Sequence, residues 1–418
     1  MEQVKFPADF LWGASIATYQ TDGADNTQWH AWEVENANQL AANYETAFAP
    51  VNPGYQAFLA EAKDQTNYVA GTGIEHRKHY ATDFDLLAEL NFNAFRFSVE
   101  WARIEPVEGQ FDQAEIAYLK TYLHSLKAHG IKPVLSLWHW TMPTWFTDKG
   151  AFEHKANLKY WDRFVRFVLT ELQADVDMIL TLNEWNVYTF MSYIAGEWVP
   201  NQTNFVKGTW VAQNLVWAHQ HAYKIAKEIK PAFQVSVAHN TSSQYAGDTK
   251  LNTKFALAWN TFQRDSFFLR QTYKYMDFLG VNWYNTDTFI AGQVQNPNTK
   301  INDLGWDMRP GQINLILEQL YAKYHLPILI TENGLADADD SDRQWWLEQT
   351  FTSLHTAMEH GVEIVGYLHW SAFDNFEWDK GFWPKFGLIA VDRQHDNARE
   401  IRPSARWYAT FIAAQQGK

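Results

Sequence analysis

The segment Met178-Ile-Leu-Thr-Leu-Asn-Glu184 is an apolar run that ends on an amide and a carboxylic acid. A second run, Pro327-Ile-Leu-Ile-Thr-Glu332-Asn-Gly334, has the same character much later in the chain. Large and β-branched apolar residues favour strands, so each run predicts a strand with an acid at its carboxyl end. One such acid alone would be read as a capping or solvated group. Two of them, two or three strand-helix units apart, predict a cleft that holds paired carboxylates.

Similar short apolar runs recur along the chain, and longer stretches of helical period separate them, which is typical of an α/β protein with a parallel sheet. The clearest helix is predicted at 341–360, with Ser341 as its cap and Gly361 at its end. The eight strand candidates are 10–20, 94–100, 132–140, 178–184, 234–240, 278–284, 328–332 and 362–370. Eight strand-helix units predict a (β/α)8 TIM barrel, whose active site lies at the carboxyl ends of its strands.

The domain organisation follows from length and from the absence of a visible boundary. Two polar segments, 33–75 and 291–303, are interpreted as elaborated βα loops and not as linkers. At 418 residues and 46% hydrophobic, the chain is long for one barrel but can bury a large core. We therefore expect a single domain over residues 1–418.

Paired carboxylates are the minimal machinery for cleaving an acetal, because one can protonate the leaving oxygen while the other attacks the anomeric carbon. The aromatic content of 16%, with 21 Trp, has two explanations. A packed core accounts for most large rings. Flat indoles near strand ends also suit the apolar faces of sugar rings, and the candidates are Trp138, Trp140, Trp145, Trp185, Trp283, Trp370, Trp378 and Trp383.

Composition excludes several other classes of function. A net charge of −14 argues against nucleic acid or an anionic membrane as a partner. The chain has no cysteine, which removes disulfides and Cys-based zinc sites, and its histidines show no recognisable ligand spacing. We expect no metal and no cofactor. The segment Met1–Pro7 lacks a basic region followed by an apolar one, so we expect a soluble, cytoplasmic protein, and a homo-oligomer stays open.

Seven motifs lie along the chain in one order. They are Phe10-Leu-Trp-Gly-Ala-Ser-Ile-Ala-Thr-Tyr-Gln20, Phe95-Arg-Phe-Ser-Val-Glu-Trp-Ala-Arg103, Leu137-Trp-His-Trp140, Leu182-Asn-Glu184, Gly280-Val-Asn-Trp-Tyr284, Ile330-Thr-Glu-Asn-Gly334 and Gly366-Tyr-Leu-His-Trp-Ser-Ala-Phe-Asp-Asn-Phe-Glu-Trp378. Together these motifs resemble the family 1 glycoside hydrolases, the β-glucosidase and β-galactosidase group, over nearly the whole chain. A further segment, 26–36, is most similar to the archaeal-type branch of that family.

The resemblance implies a (β/α)8 fold and a catalytic pair. Glu332 would be the nucleophile and Glu184 the acid/base of a retaining double displacement, which needs carboxyl groups about 5–5.5 Å apart. Arg96 and Tyr284 match the positions that keep the nucleophile ionised and oriented. Glu184 must instead be protonated at working pH, which requires surroundings that disfavour its charge.

The resemblance also implies a sugar-binding set: hydrogen bonds from Gln20, His139, Asn183 and Glu377, a stacking platform at Trp370, and a hydroxyl contact from Trp378. Each has a structural alternative; His139 could be a satisfied core histidine and Trp370 a plug of the barrel. The implied activity is exo-hydrolysis of terminal β-D-glucosyl or β-D-galactosyl residues from a small-molecule glycoside or oligosaccharide. A transglycosidase, or a catalytically silent sugar-binding barrel, is the alternative.

The chain departs from the family pattern beside the acid/base. The family has Asn-Glu-Pro, and this chain has Trp185 in place of the proline, so the restriction that proline places on the preceding residue is absent. Either the indole lies against Glu184 and raises its pKa by desolvation, or it points away into a helix-barrel contact. A branch of the family that takes 6-phospho-sugars lacks the equivalent of Glu377 and carries a Ser-Lys pair where this chain has Trp383-Pro384, which predicts unphosphorylated substrates.

Overall fold

A closed ring of eight parallel strands forms the centre of the protein in this computed structural model, which describes residues 4–417. The ring follows chain order, except that a short strand, β7, pairs antiparallel with β6 outside it. Pairing of β5 with β6 and of β1 with β9 completes the closure. The predicted (β/α)8 barrel is therefore confirmed. The strands are β1 Leu11–Ser15, β2 Ala94–Ser98, β3 Lys132–Ser136, β4 Met178–Asn183, β5 Gln234–Ala246, β6 Leu279–Ile290, β7 Gln293–Val294, β8 Ile328–Asn333, β9 Ile364–Trp370, β10 Ile389–Asp392 and β11 Ala398–Ile401.

Helices surround the barrel, and each long one turns an apolar stripe towards it. In α8, for example, the buried residues recur every three or four positions from Leu158 to Leu172. No helix within 4–417 is long and apolar enough to cross a bilayer. The helices are α1 Thr18–Asp22, α2 Gln28–Phe48, α3 Leu59–Ala62, α4 His76–Glu89, α5 Trp101–Ile104, α6 Gln113–Ala128, α7 Thr144–Thr147, α8 Leu158–Leu172, α9 Trp185–Phe190, α10 Phe205–Ile229, α11 Leu251–Thr261, α12 Phe267–Thr272, α13 Ile313–Tyr324, α14 Arg343–Glu359 and α15 Pro403–Gln416.

The helix predicted at 341–360 is α14, but its cap differs from the prediction. Ser341 lies outside the helix, which begins at Arg343. The carboxylate of Asp337 accepts hydrogen bonds from the backbone N–H groups of Asp342, at 3.0 Å, and Arg343, at 2.8 Å. An acid from the preceding loop thus satisfies the free donors of the first turn, so the prediction of Ser341 as the cap was wrong.

The polar segment 33–75 lies between β1 and α4, as expected of a βα elaboration, but it is largely helical. Most of the 21-residue helix α2 falls in it. Tyr44 and Phe48 of α2 pack edge-on against the buried Trp383, with ring centroids 5.3 and 4.9 Å away. The segment is rich in polar residues because one face of this helix is exposed to solvent.

A cluster of apolar side chains fills the interior of the barrel below the carboxyl ends of the strands. Each of the eight barrel strands, or the residue just before it, contributes one side chain to this plug. These are Leu11, Ala94, Val134, Leu180, Ala238, Phe278, Leu329 and Leu368. Above this plug the register brings polar residues side by side: Asn282 pairs with Glu332, and Ser15 pairs with Arg96 on one side and with the aromatic Trp370 on the other. The fold thereby collects the polar ends of the strands at one rim.

Candidate active site

A cavity of about 560 Å³ opens at this rim. Five acids line it: Glu184, Asp307, Glu332, Glu377 and Asp379. Five indoles also line it: Trp140, Trp198, Trp306, Trp370 and Trp378. Of the residues predicted from sequence, Gln20, His139 and Tyr284 line the same cavity. Arg96 and Asn183 lie in the wall behind it, where they contact the lining residues. All ten predicted site residues are therefore brought together.

Glu332 stands near the end of β8 and is held by two donors. Arg96 Nη1 forms an ion pair with Oε1, and the Tyr284 hydroxyl donates to Oε2 at 2.7 Å. The guanidinium is fully buried and is fixed by three further hydrogen bonds, to Ser136 Oγ at 3.0 Å, to the carbonyl of Thr331 at 3.1 Å and to Asn183 Oδ1 at 2.6 Å. A buried cation that is fixed in this way stabilises and orients a carboxylate.

Glu184 directly follows β4 and is the N-terminal flanking residue of α9, with a left-handed φ of 39°. Its Oε1 accepts hydrogen bonds from Asn282 Nδ2, at 2.8 Å, and from Asn240 Nδ2, at 3.0 Å. Burial, followed by the negative charge of Glu332, raises the pKa of Glu184 to about 8, although the two amides act in the opposite direction. The carboxyl group is therefore mostly protonated at neutral pH.

Asn183 links the two halves of the site. Its Oδ1 accepts from Arg96 Nη2 at 2.6 Å, so the amide is oriented with Nδ2 towards His139 Nε2, at 3.0 Å. Since Nε2 accepts this bond, the proton of the neutral imidazole sits on Nδ1. Burial and the charge of Arg96 hold the pKa of His139 well below its usual range. Within residues 4–417 the Nδ1 atom has no partner, so His139 is not a satisfied core histidine.

Gln20 and Glu377 form the polar floor of the cavity. Gln20 Nε2 donates to the carbonyl of Phe376 at 2.6 Å and lies 3.5 Å from Glu377 Oε2. Its Oε1 is buried and has no partner in the part of the chain that the structure describes. Burial, with the charges of Glu332 and Asp379, raises the pKa of Glu377 to about 8. Both side chains therefore keep hydrogen-bonding capacity for a ligand.

The aromatic walls are built around His139. Its ring lies nearly parallel to Trp370 and to Trp378, at 5.9 Å from each. Trp378 is in turn backed by Tyr19, stacked at 5.9 Å. Trp370 does not plug the barrel. The residue of β9 that fills the barrel interior is Leu368, and Trp370 lines the cavity.

Trp185 points away from the acid pair. Its indole stacks on Phe268 of α12, with ring centroids 4.7 Å apart, and its Nε1 donates to His239 Nδ1 at 3.2 Å. Of the two readings of this residue, the helix-barrel contact is the one observed. The left-handed conformation of Glu184 is one that a following proline would disfavour, so the substitution is consistent with the backbone seen here.

The sequence did not predict several residues that form or support the cavity. Asn240 and Asn282 hold Glu184, and both lie on predicted strands near the carboxyl end of the barrel, where a polar residue was a usable signal. Trp198 and Trp306 also line the cavity, but they lie in loops, where no local sequence pattern indicates which residues face a site. Conversely, four of the indoles near strand ends belong to the packed core, Trp138, Trp185, Trp283 and Trp383, and the half-buried Trp145 packs against that core.

No group of three or more His, Asp and Glu side chains among residues 4–417 could hold a metal ion. The expectation of chemistry without a metal or cofactor stays a prediction.

A model of glycosyl hydrolase family 1 matches the chain over residues 2–280 and 266–417. The chain belongs to this family. It is therefore an O-glycosyl hydrolase by class, as its sequence motifs implied.

The proteins to which the chain is similar differ in their named activities. It is 26% identical over 466 residues to β-glucosidase A of Acetivibrio thermocellus, covering 99% of both chains. It is 29% identical over 355 residues to the chloroplastic galactolipid galactosyltransferase SFR2 of Arabidopsis thaliana, which covers 78% of this chain and only 56% of that protein's length. A solved β-glycosidase from Pyrococcus horikoshii superposes with a TM-score of 0.86 at 29% identity, covering 99% of this chain and 96% of that one. An archaeal protein is thus among the similar structures.

Proposed function

We propose that the protein is a retaining, exo-acting β-glycosidase that removes terminal β-D-glucosyl or β-D-galactosyl residues. The observation that carries the proposal is the contrast between two acids of one cavity. Glu184 is kept protonated by burial, and Glu332 is paired with Arg96 and Tyr284. A neutral acid and an oriented carboxylate are the two groups that a double displacement requires.

In the first step, Glu332 attacks the anomeric carbon while Glu184 gives its proton to the glycosidic oxygen. The bond to the aglycone breaks, and a glycosyl ester of Glu332 forms. In the second step, the ionised Glu184 takes a proton from water, whose oxygen attacks the same carbon and releases Glu332. Two inversions leave the configuration of the sugar unchanged.

The glycone is held by groups that keep free hydrogen-bonding atoms. His139 Nδ1 and Gln20 Oε1 are buried without partners within 4–417, and Glu377 lies beside them. Trp370 offers a flat face. Asn183, oriented by Arg96, stands where its amide can bind the 2-hydroxyl as the oxocarbenium-like state forms. A cavity of about 560 Å³ at one end of the barrel has room for a terminal sugar unit and its leaving group, which favours the exo mode.

The test is an assay with nitrophenyl β-glucoside and β-galactoside, in which proton NMR follows the anomer first released. We expect hydrolysis of both and initial release of the β-anomer. Initial release of the α-anomer would contradict the retaining mechanism. The absence of release above background across several aryl β-glycosides would favour the silent sugar-binding barrel.

Transfer to a second sugar is a further candidate, favoured by the similarity to a galactosyltransferase. The glycosyl ester is the same, and the acceptor hydroxyl replaces water in the second step. We expect added galactosides or glucosides to divert part of the product into new glycosides, measurable by mass spectrometry. A product mixture unchanged at high acceptor concentration would exclude this route.

A further inference from the structure

A line of polar contacts leads outward from Glu184 through Asn240 on β5 to Arg264. Asn240 Nδ2 donates to Glu184 Oε1 at 3.0 Å, and Asn240 Oδ1 accepts from Arg264 Nη2 at 3.2 Å. Arg264 lies in the turn of π-helix at Phe262–Ser266 that follows α11, and it lines the cavity. None of the sequence motifs contains it.

Arg264 is anchored on its other side. Its Nη1 donates to Asp287 Oδ2 of β6 at 2.8 Å and to Ser242 Oγ of β5 at 2.6 Å. The Ser242 hydroxyl also donates to Asp287, at 2.7 Å. The guanidinium is thus held between two strands, so its second nitrogen is fixed in front of Asn240.

The chemistry of the two side chains makes this arrangement directional. The two ends of an asparagine amide are alike in size, but one end accepts hydrogen bonds and the other donates them. An arginine can only donate. Arg264 therefore fixes the acceptor end of Asn240 towards itself and the donor end towards Glu184. Asn282 donates to the same Oε1, at 2.8 Å, so that oxygen receives two N–H groups.

We propose that Arg264 is a positioning residue for the acid/base: by orienting the Asn240 amide it saturates Oε1 of Glu184 and leaves Oε2 to carry the proton for the leaving group. The inference rests on the proposed glycosidase function. Without Arg264, the Asn240 amide can turn over and present its oxygen to the protonated acid. The acid would then donate its proton to Asn240 in competition with the glycosidic oxygen, and its ionised form would lose a donor.

Other charged or titratable groups face Glu184, and their ionisation must be the same in all variants that are compared. They are Glu332 from β8, Arg96 from β2, Tyr284 from β6, His139 after β3 and Glu377 after β9. None of them contacts Arg264 in the hydrogen bonds found within residues 4–417.

The central variant is Arg264→Gln. A donor to the ionised form lowers the pKa of an acid, so its loss should move the alkaline limb of kcat/KM up by about 0.5–1 pH unit. The value of kcat/KM should fall on the order of tenfold for an alkyl β-glucoside, which needs the proton, and much less for a dinitrophenyl β-glucoside. Arg264→Lys, which keeps a cationic donor, should recover part of the loss.

A double-mutant cycle separates positioning from other roles. Asn240→Ala alone should shift the alkaline limb. If Arg264 acts through Asn240, the double variant Arg264→Gln with Asn240→Ala should show nearly the same shift as Asn240→Ala alone. Additive shifts would overturn the proposal. A change confined to KM that varies with the aglycone would also overturn it, because Arg264 would then contact the substrate.

Arg309→Gln is the matched control, since Arg309 also bonds to β6, through the carbonyl of Thr286 at 2.6 Å, and does not contact Asn240. It should leave the alkaline limb in place, and thermal unfolding of each variant checks the fold. Carbon-13 NMR of labelled glutamate carboxyls follows the titration of Glu184 without turnover. An upward shift in Arg264→Gln supports positioning even if the protein hydrolyses no glycoside; activity without that shift refutes it.

Discussion

At the residue scale, the two central acids differ because of the donors around them. Glu332 faces a buried guanidinium and a phenol, and Glu184 faces two neutral amides. A neutral amide stabilises a carboxylate less than a cation does. The same side chain can therefore serve as nucleophile in one position and as acid in the other.

Glu332→Gln should reduce turnover by several powers of ten, because an amide cannot form the glycosyl ester and each factor of ten corresponds to about 1.4 kcal/mol of barrier. Sugar binding should be partly kept, as calorimetry with a glycoside can measure. Tyr284→Phe is the control, since it removes one donor and leaves the nucleophile; its loss should be far smaller. Turnover like wild type in Glu332→Gln, with contamination excluded, would end the assignment.

Glu184→Ala should affect substrates according to their leaving group. Alkyl glycosides need a proton in the first step and should lose about 10²–10⁴-fold in rate of glycosylation, whereas dinitrophenyl glycosides should lose little in that step. Single-turnover kinetics on both classes make the comparison. Equal losses would mean that Glu184 is structural.

Glu377 should exclude phosphorylated sugars. Its carboxyl lies in the floor of the cavity beside Gln20, whereas Trp383 is buried against α2 and is not available to bind a phosphate. A phosphate dianion in this buried cavity would be repelled by the negative charge of Glu332, and it would compete with Glu377 for the space at the same floor. We expect a nitrophenyl β-glucoside to be hydrolysed much faster than its 6-phosphate, and the reverse order would refute the prediction.

At the element scale, sequence predicted the strands well at their amino ends, where the apolar run begins. The predicted carboxyl ends were less accurate. The strand predicted at 10–20 includes the start of helix α1, because buried residues continue beyond the strand. Both β5 and β6 extend past the predicted ends at Asn240 and Tyr284, to Ala246 and Ile290. These extensions are polar and pair with each other outside the barrel, so no apolar run marks them.

The same limit explains what sequence could tell about the site. Residues on strand ends were predictable, since the fold collects them at one rim. Arg264 was not, because it lies in a helical turn and reaches Glu184 only through Asn240. Contacts between loops and strand ends are fixed by packing that no local pattern records.

Trp185 joins α9 to α12, and its replacement tests that element contact. Trp185→Ala should lower the free energy of unfolding by about 3–5 kcal/mol, the usual cost of removing a buried large aromatic side chain. The alkaline limb of kcat/KM should stay where it is, since the indole does not line the cavity. Urea unfolding and a pH profile measure the two effects. Trp185→Phe, which keeps a ring against Phe268, should cost much less, and a shifted alkaline limb would contradict the observed orientation.

At the scale of the whole molecule, one buried acid lies in the packing near the site, with the imidazole of His30 beside it, Nδ1 at 3.3 Å from Oε1 of the acid. Glu33 of α2 is fully buried, and its Oε1 accepts from the backbone N–H of Ala70 at 3.0 Å. Burial raises the pKa of Glu33 to about 8. It lies beside Tyr19, which backs Trp378, so the packing behind the cavity includes a carboxyl group that is mostly neutral at neutral pH.

Glu33 should therefore make the fold less stable as pH rises. Between about pH 4.5 and pH 8 the acid is protonated in the folded state and ionised in the unfolded state, so unfolding releases a proton. The free energy of unfolding should fall through this window by up to about 1.4 kcal/mol per pH unit from this group alone. Glu33→Gln cannot ionise and should match wild type near pH 4.5 but exceed its stability by a few kcal/mol at pH 8. Urea unfolding across the window measures the difference. Glu45→Gln, which removes an exposed acid of the same helix, should leave the slope unchanged; parallel curves for wild type and Glu33→Gln would contradict the neutral buried acid.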